Sequence, residues 1–266
     1  MEYLFKAWQE FSNAVKAASH LLLLSDYDGT LTPIVSRPED ALLASSVREK
    51  LQALSRKPSV SVGVISGRTM AEIKSLVSLD GIYYAGNHGL EIQGPNIDYI
   101  NETARVTRPL MKELAGEFTK ALENIDGVII EDKEFSLSIH YRLVDEQEEN
   151  TVAATFRRLT RPLLNKNIIR VSSGKKVYEI RPPVDWHKGK AVGVIIREIK
   201  SVLSPDRILS VYIGDDTTDE DAFKVIHRPD GWSIFVGKDN PLSSAGYYLD
   251  STSEVEQFLT RLEQQT

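Results

Sequence analysis

The chain reads as an α/β protein, a parallel sheet with crossover helices interrupted by an inserted α+β unit. Two observations carry this. Short apolar runs alternate with helically spaced patterns at both ends of the chain, the mark of parallel strands joined by helices. From about Thr103 the texture changes to alternating strands with helices on one face, and after Pro182-Pro183 the first texture returns. The economical division is a core of residues 1–103 and 183–266, with residues 104–182 inserted as a cap.

The elements follow in order. Met1 to Ala18 carries Leu4, Phe5, Trp8, Phe11 and Val15 at helical spacing, an amphipathic helix leading into a buried strand at His20 to Ser25. A helix at Val47 to Leu54, a strand at Ser59 to Ile65, a helix at Thr69 to Leu76 and a strand at Gly81 to Ala85 continue the alternation. In the middle segment, a helix at Arg108 to Leu122 precedes strands at Val128 to Glu131 and Ser136 to Arg142. A second helix, Glu148 to Leu164, precedes strands at Ile168 to Ser172 and Lys176 to Arg181. The core resumes with a helix at Lys188 to Ile199, a strand at Ile208 to Ile213, a helix at Glu220 to Ile226 and a strand at Trp232 to Val236.

Composition narrows the function. The net charge of −6 argues against a generic nucleic-acid or anionic-membrane binder, so an anionic substrate needs a locally basic pocket. With no cysteine, thiolate catalysis, disulfides and cysteine-built zinc sites are excluded. No segment approaches the length of a membrane span, and His20 to Leu24 is too short for a signal-peptide core. A soluble, untargeted, cytoplasmic protein is the expectation.

Chemistry in open α/β sheets gathers at strand ends. The first strand ends in Asp26-Tyr27-Asp28-Gly29-Thr30, where two carboxylates one residue apart can face a crevice if the chain bends at Gly29. Taken alone, Asp and Gly making a turn would also account for it. Ser66-Gly67-Arg68 closes the second strand; its hydroxyl and amides suit phosphate oxygens, although an ordinary helix start is the simpler reading in isolation. Lys188 opens the helix after the inserted unit and could neutralise phosphate or sit on the surface, with Lys190 a minor competitor. The block Gly214-Asp215-Asp216-Thr217-Thr218-Asp219-Glu220-Asp221 is the strongest. So many acids after an apolar strand repel one another unless a cation or a lysine compensates.

In order and spacing, Asp26-Asp28, Ser66, Lys188 and Asp215-Asp219 resemble the four motifs of the haloacid dehalogenase-like phosphatases. Finer segments resemble the trehalose-6-phosphate phosphatase family. They are Asp26 to Ile34, Gly86-Asn87-His88-Gly89-Leu90-Glu91, Glu131-Asp132-Lys133, Ser138-Ile139-His140-Tyr141-Arg142, Gly174 to Pro182, and the acidic loop. The resemblance implies a Rossmann-like core with a cap, acting on a small sugar phosphate with Mg²⁺ as cofactor. It implies hydrolysis of trehalose 6-phosphate to trehalose and phosphate through an aspartyl phosphate, in trehalose biosynthesis. Asp26 would be the nucleophile, Asp28 the acid and base, and Ser66, Gly67, Arg68 and Lys188 the phosphate grip. Asp26, the Asp28 carbonyl and Asp215 would hold the metal, with Asp219 and Asp216 behind them. Asn87, His88, Glu131, Lys133, Arg142, Lys175 and Glu179 would meet the sugar, and His140 would pack within the cap. A separately encoded trehalose-phosphate synthase would supply the substrate. Rival readings are a phosphatase for sucrose phosphate or mannosyl phosphoglycerate, a phosphotransferase, and a non-catalytic sensor.

Overall fold

The computed structural model describes residues 1–35, 37–227, 229–238 and 240–266. They form two compact units, Met1–Tyr99 with Trp186–Thr266, and Ile100–Asp185. The first unit opens with β1 (Glu2–Tyr3), α1 (Trp8–Ala17), β2 (His20–Ser25), α2 (Ser45–Ser55), β3 (Val60–Ile65), α3 (Met70–Val77), β4 (Tyr83–Gly86), β5 (Glu91–Gly94) and β6 (Ile97–Ile100). The second holds α4 (Glu102–Ala121), β7 (Ile129–Asp132), β8 (Leu137–His140), α5 (Glu149–Asn165), β9 (Arg170–Gly174) and β10 (Val177–Arg181). The chain returns to the first unit with α6 (Lys188–Leu203), β11 (Ile208–Gly214), α7 (Glu220–Val225), β12 (Gly231–Val236), β13 (Tyr247–Leu249) and α8 (Thr252–Glu263).

Among the described residues the first unit's sheet has nine strands, in the order β1-β13-β12-β11-β2-β3-β4-β5-β6. Every pair from β1 to β4 is parallel, and β4 with β5 is antiparallel. The α/β fold with a parallel core is the one the sequence predicts. Strands buried on both faces must be apolar on both, which is why His20 to Ser25 reads as an almost unbroken apolar run. One face of β2 packs Leu21 and Leu23 with Phe11 of α1, Leu51 of α2, Ile73 of α3 and Phe258 of α8. The other packs Leu22 and Leu24 with Val192, Ile195 and Ile199 of α6 and Phe223 of α7. From β2 the chain winds to β3 and β4 on one side, whereas β11, β12 and β13 fill the other. The order therefore reverses between β2 and β11, and ligands bind at such a reversal, beyond the strands' carboxyl ends.

The second unit is a four-stranded antiparallel sheet, β7-β8-β10-β9, with two helices on its apolar face. Leu137, Ile139 and Ile180 pack there against Phe118 of α4 and Phe156 of α5. Register sets Glu131 opposite Ser138, Ser138 opposite Glu179 and Glu179 opposite Ser172, a polar row across the other face. The acidic run before α5 is an exposed turn in which the Gln147 amide donates to Asp145 Oδ1 at 2.9 Å.

Several boundaries differ from expectation. Residues 2–3 do not join α1: the Glu2 and Leu4 amides donate to the carbonyls of Gly246 and Tyr248, so this stretch is a sheet edge. Helix α4 begins at Glu102, ahead of the expected Arg108, because the Asn101 side chain caps it by accepting from the Ala104 amide. The antiparallel β5, and β13 with α8 at the carboxyl end, were not expected. No helix among the described residues is long and apolar enough to cross a membrane.

Candidate active site

Strands β2 and β11 lie side by side with Ser25 opposite Ile213, so the residues that leave them emerge together. The Asp26 amide donates to the Ile213 carbonyl at 2.8 Å, holding the first acid beside the second strand's end. Alternation sends Tyr27 into the core, where its hydroxyl donates to the Ala41 carbonyl at 2.7 Å. Gly29 bends the chain at φ +81°, and a Cβ there would stand 2.1 Å from Asp215 Oδ2. Only a glycine lets Asp215 lie against this loop. The Thr30 hydroxyl donates to Asp215 Oδ1 at 3.2 Å.

Lys188, the first residue of α6, turns inward and is 2% exposed. Its Nζ donates to Asp219 Oδ1 at 2.8 Å and lies 3.0 Å from Asp26 Oδ2. Burial pushes the ammonium's pKa down, but the charges of Asp26 and Asp219 outweigh it and hold Lys188 protonated above the usual lysine range. Asp219 is fully buried and saturated. Besides Lys188, its Oδ1 accepts from the Tyr212 hydroxyl at 2.6 Å, and its Oδ2 accepts from the amides of Asp215 and Asp216 at 3.0 and 3.1 Å. Burial, then Asp219 and Asp26, raise the Tyr212 phenol well above its usual value, so it remains a donor.

One lysine does not neutralise three carboxylates. Burial raises Asp26 well above the carboxylate range, with Lys188 opposing and Asp219 and Asp215 adding to the rise. Asp215 is pushed up to about 7 by burial, then by Asp219 and Asp216. Among the described residues, Asp26, Asp215 and Asp219 each offer an oxygen within 4.8 Å of the others. An all-oxygen set with surplus negative charge suits a hard divalent cation. Asp219 already accepts four hydrogen bonds, about a carboxylate's capacity, so Asp26 and Asp215 are the members with oxygen to offer. Asp216 lies outside this cluster, exposed, its Oδ1 accepting from the Thr218 amide and hydroxyl.

Asp28 turns to Arg68, whose Nε and Nη2 donate to its two carboxylate oxygens at 2.8 and 2.6 Å. The Arg68 side chain, expected on phosphate, is thus engaged by Asp28 and by the Pro38 carbonyl at 2.9 Å. Ser66 is buried, its Oγ accepting from the Arg68 amide at 3.2 Å. Thr69 starts α3 with a capping box shared with Glu72, which fixes the helix behind this loop. A Cβ at Gly67 would stand 2.7 Å from the His88 ring, so His88 packs on the Ser66–Arg68 loop. Asn87 is buried and donates to Glu91 Oε1 at 2.9 Å.

In the second unit, Glu131 Oε2 lies 3.0 Å from His140 Nε2 and 3.4 Å from Lys133 Nζ. Glu179 pairs with Arg181 at 2.6 Å. Arg142 and Lys175 are exposed, Arg142 Nη2 donating to the Lys175 carbonyl at 3.3 Å. Sequence reading missed Tyr212 and Thr30 as site residues. Tyr212 looks like any core aromatic on a buried strand, and its sole sequence signal is a polar tip just ahead of an acidic loop.

Residues 24–253 match the trehalose-phosphatase family. A probable trehalose-phosphate phosphatase D of Arabidopsis thaliana is 35% identical over 265 residues, covering 96% of this chain and 70% of that protein. The solved C-terminal domain of the trehalose-6-phosphate phosphatase of C. albicans matches at 25% identity and a TM-score of 0.72, covering 96% of both chains. A haloacid dehalogenase-like hydrolase from Bacteroides thetaiotaomicron shares the fold at 16% identity and a TM-score of 0.62, covering 91% of this chain and 99% of that one. With the family match spanning both halves of the core and everything between them, the chain belongs to the trehalose-phosphatase family.

Proposed function

We propose that this chain hydrolyses trehalose 6-phosphate to trehalose and phosphate, with Asp26 as the nucleophile. The observation that carries the reading is the buried ladder Asp26–Lys188–Asp219, with Asp215 beside it at the end of the two central strands. Membership of the family supplies the substrate class.

An oxygen of Asp26 attacks phosphorus in line; the aspartyl–phosphorus bond forms as the bond to the sugar oxygen breaks. Asp28 gives the departing oxygen its proton, then takes one from the water that attacks the aspartyl phosphate and regenerates Asp26. To do so Asp28 must leave its two-pronged pair with Arg68. Lys188, held protonated, offsets the negative charge that gathers on the phosphoryl oxygens, while the Ser66 hydroxyl and the amides after it supply hydrogen bonds. Asp26, Asp215 and the Asp28 carbonyl would hold Mg²⁺, with Asp219 and Asp216 behind them. When bound, the ion supplies charge neutralisation between an anionic nucleophile and an anionic substrate.

We assign the chemistry to the first unit and sugar recognition to the second, Ile100–Asp185, within which the expected cap of residues 104–182 falls. Glu131 and Glu179 share a polar sheet face, Lys133 just past β7 reaches Glu131, and Arg142 and Lys175 lie near it in sequence. Paired donors and acceptors of this kind discriminate among hydroxyl patterns, because a mismatched sugar leaves them unpartnered. Asn87 and His88, beside the Ser66 loop, belong to the first unit and are assigned to the sugar as well. The substrate would come from a separate trehalose-phosphate synthase.

The test is phosphate release from trehalose 6-phosphate, sucrose 6-phosphate, mannosyl phosphoglycerate and glucose 6-phosphate, each with Mg²⁺ and with chelator. Fast release from trehalose 6-phosphate alone, lost on chelation, is expected. Preference for another sugar phosphate, or full activity in chelator, would overturn the substrate or the metal.

A further inference from the structure

Tyr212 occupies a place the reaction as described leaves unused. It lies in the middle of β11, opposite Leu24 of β2, on the face covered by α6 and α7. The side chain is fully buried, its ring edge-on to Phe223 at 5.8 Å between centroids. An aromatic there needs no hydroxyl for packing, and a buried hydroxyl is costly unless it is bonded. This one donates to Asp219 Oδ1 at 2.6 Å, the short range of a hydrogen bond to a carboxylate.

The same oxygen receives Lys188 Nζ at 2.8 Å, and Lys188 in turn stands 3.0 Å from Asp26 Oδ2. The other oxygen of Asp219 ties down the amides of Asp215 and Asp216. Asp219 is thus a hub held from four sides, and the phenol is the one donor among the four that comes from neither the acidic loop nor the lysine. Without it, Oδ1 has a vacant acceptor direction. Lys188 could then swing toward Asp219 and loosen its hold on Asp26.

We propose that Tyr212 is a positioning residue for the nucleophile, its hydroxyl fixing Asp219 so that Lys188 stays against Asp26. This rests on the reading of Asp26 as the attacking group. It requires that loss of the hydroxyl slow the chemical step and leave substrate binding intact.

The test uses Tyr212→Phe, which removes one oxygen and keeps the ring. Turnover is measured with Mg²⁺ on trehalose 6-phosphate and on p-nitrophenyl phosphate, which has no sugar, at matched folded fraction by circular dichroism. Loss of an outer support of a site typically slows it roughly 10–100-fold. A fall of that size in kcat on both substrates, with KM changed little, is expected. Two further variants separate positioning from packing. Phe223→Leu, which loosens the same cluster without touching a hydrogen bond, should lower the melting temperature and leave kcat near that of the unmodified protein. 3-Fluorotyrosine at position 212 keeps the hydroxyl and should restore turnover. An unchanged kcat in Tyr212→Phe, an equal fall in Phe223→Leu, or a fluorotyrosine protein as slow as the phenylalanine one would each overturn the proposal. A wrong sugar would silence trehalose 6-phosphate but not p-nitrophenyl phosphate, and turnover surviving in Asp26→Asn would defeat the nucleophile itself, so these failures are distinguishable.

Discussion

At the scale of single residues, the site is set by charges with nowhere to go. Lys188 is the buried counter-charge of both Asp26 and Asp219, so Lys188→Ala strands two carboxylates in the core. Breaking a buried pair by removing one partner typically costs about 3–5 kcal/mol. Urea unfolding without metal should show a loss of that order, and a loss below about 1 kcal/mol would contradict the pairing. Gly214→Ala tests the other half of the arrangement. Its Cβ would meet Asp219 Cγ at 2.3 Å, so the hub must move. Phosphate release should fall roughly 10-fold or more, as for other disturbed supports of a site, and release at the unsubstituted rate would show that Asp219 has room. Much of this was readable in the sequence. Asp26, Ser66, Lys188 and Asp215 stand where apolar runs stop or a helix begins, and side chains at strand ends are free to face a ligand. What could not be read were pairings between distant residues. Asp28 and Arg68 look like two independent site groups until the fold brings them within 2.8 Å. Tyr212 reads as core because, apart from its oxygen, it is core.

At the scale of elements, two are testable away from the chemistry. Helix α3 begins with a reciprocal cap between Thr69 and Glu72. Thr69→Ala removes the side-chain acceptor and should cost about 1 kcal/mol in urea unfolding. An unchanged unfolding midpoint would show that the cap is idle. Strand β2 begins at His20, buried against the Ser61 hydroxyl at 2.9 Å. Burial holds its pKa below 6.5, so the unfolded chain binds the proton more readily than the folded one. Stability from the neutral ring is therefore full above about pH 6.5 and is lost as pH falls through the folded value. Between neutral pH and about pH 5 the unfolding midpoint should drop more in the unsubstituted chain than in His20→Gln, and equal drops would contradict the shift. The central strands and the helices between them were legible because burial on both faces writes long apolar runs. The edges were not. Two residues of β1 and three of β13 carry too few positions for a pattern, and partners far along the chain, such as Gly246 for Glu2, decide them. Helix α8 is different: it went unread although Val255, Phe258, Leu259 and Leu262 have clear helical spacing, so the signal was there to be used.

At the scale of the whole molecule, catalysis and recognition are assigned to different compact units, and that assignment separates their mutational signatures. Glu131 on the second unit's polar face is held by His140 and Lys133, with no part in the Asp26 ladder. Glu131→Ala should raise KM for trehalose 6-phosphate roughly 10-fold or more, the scale of a lost hydrogen bond to a charged group, while turnover of p-nitrophenyl phosphate holds. Equal losses on both substrates would place Glu131 in the chemistry and dissolve the division. The net charge of −6 adds a constraint on the whole, since a phosphate ester must reach Lys188 against the protein's own field. Every step described still depends on a covalent bond between phosphorus and one side chain. Acid-quenching the working protein with trehalose 6-phosphate, reducing it with borohydride and sequencing it by mass spectrometry reads that bond out directly, because reduction converts an aspartyl phosphate to homoserine. Homoserine at position 26, in the unsubstituted protein and absent without substrate, is the expected result; brisk turnover with position 26 still aspartate, or with homoserine elsewhere, would contradict it.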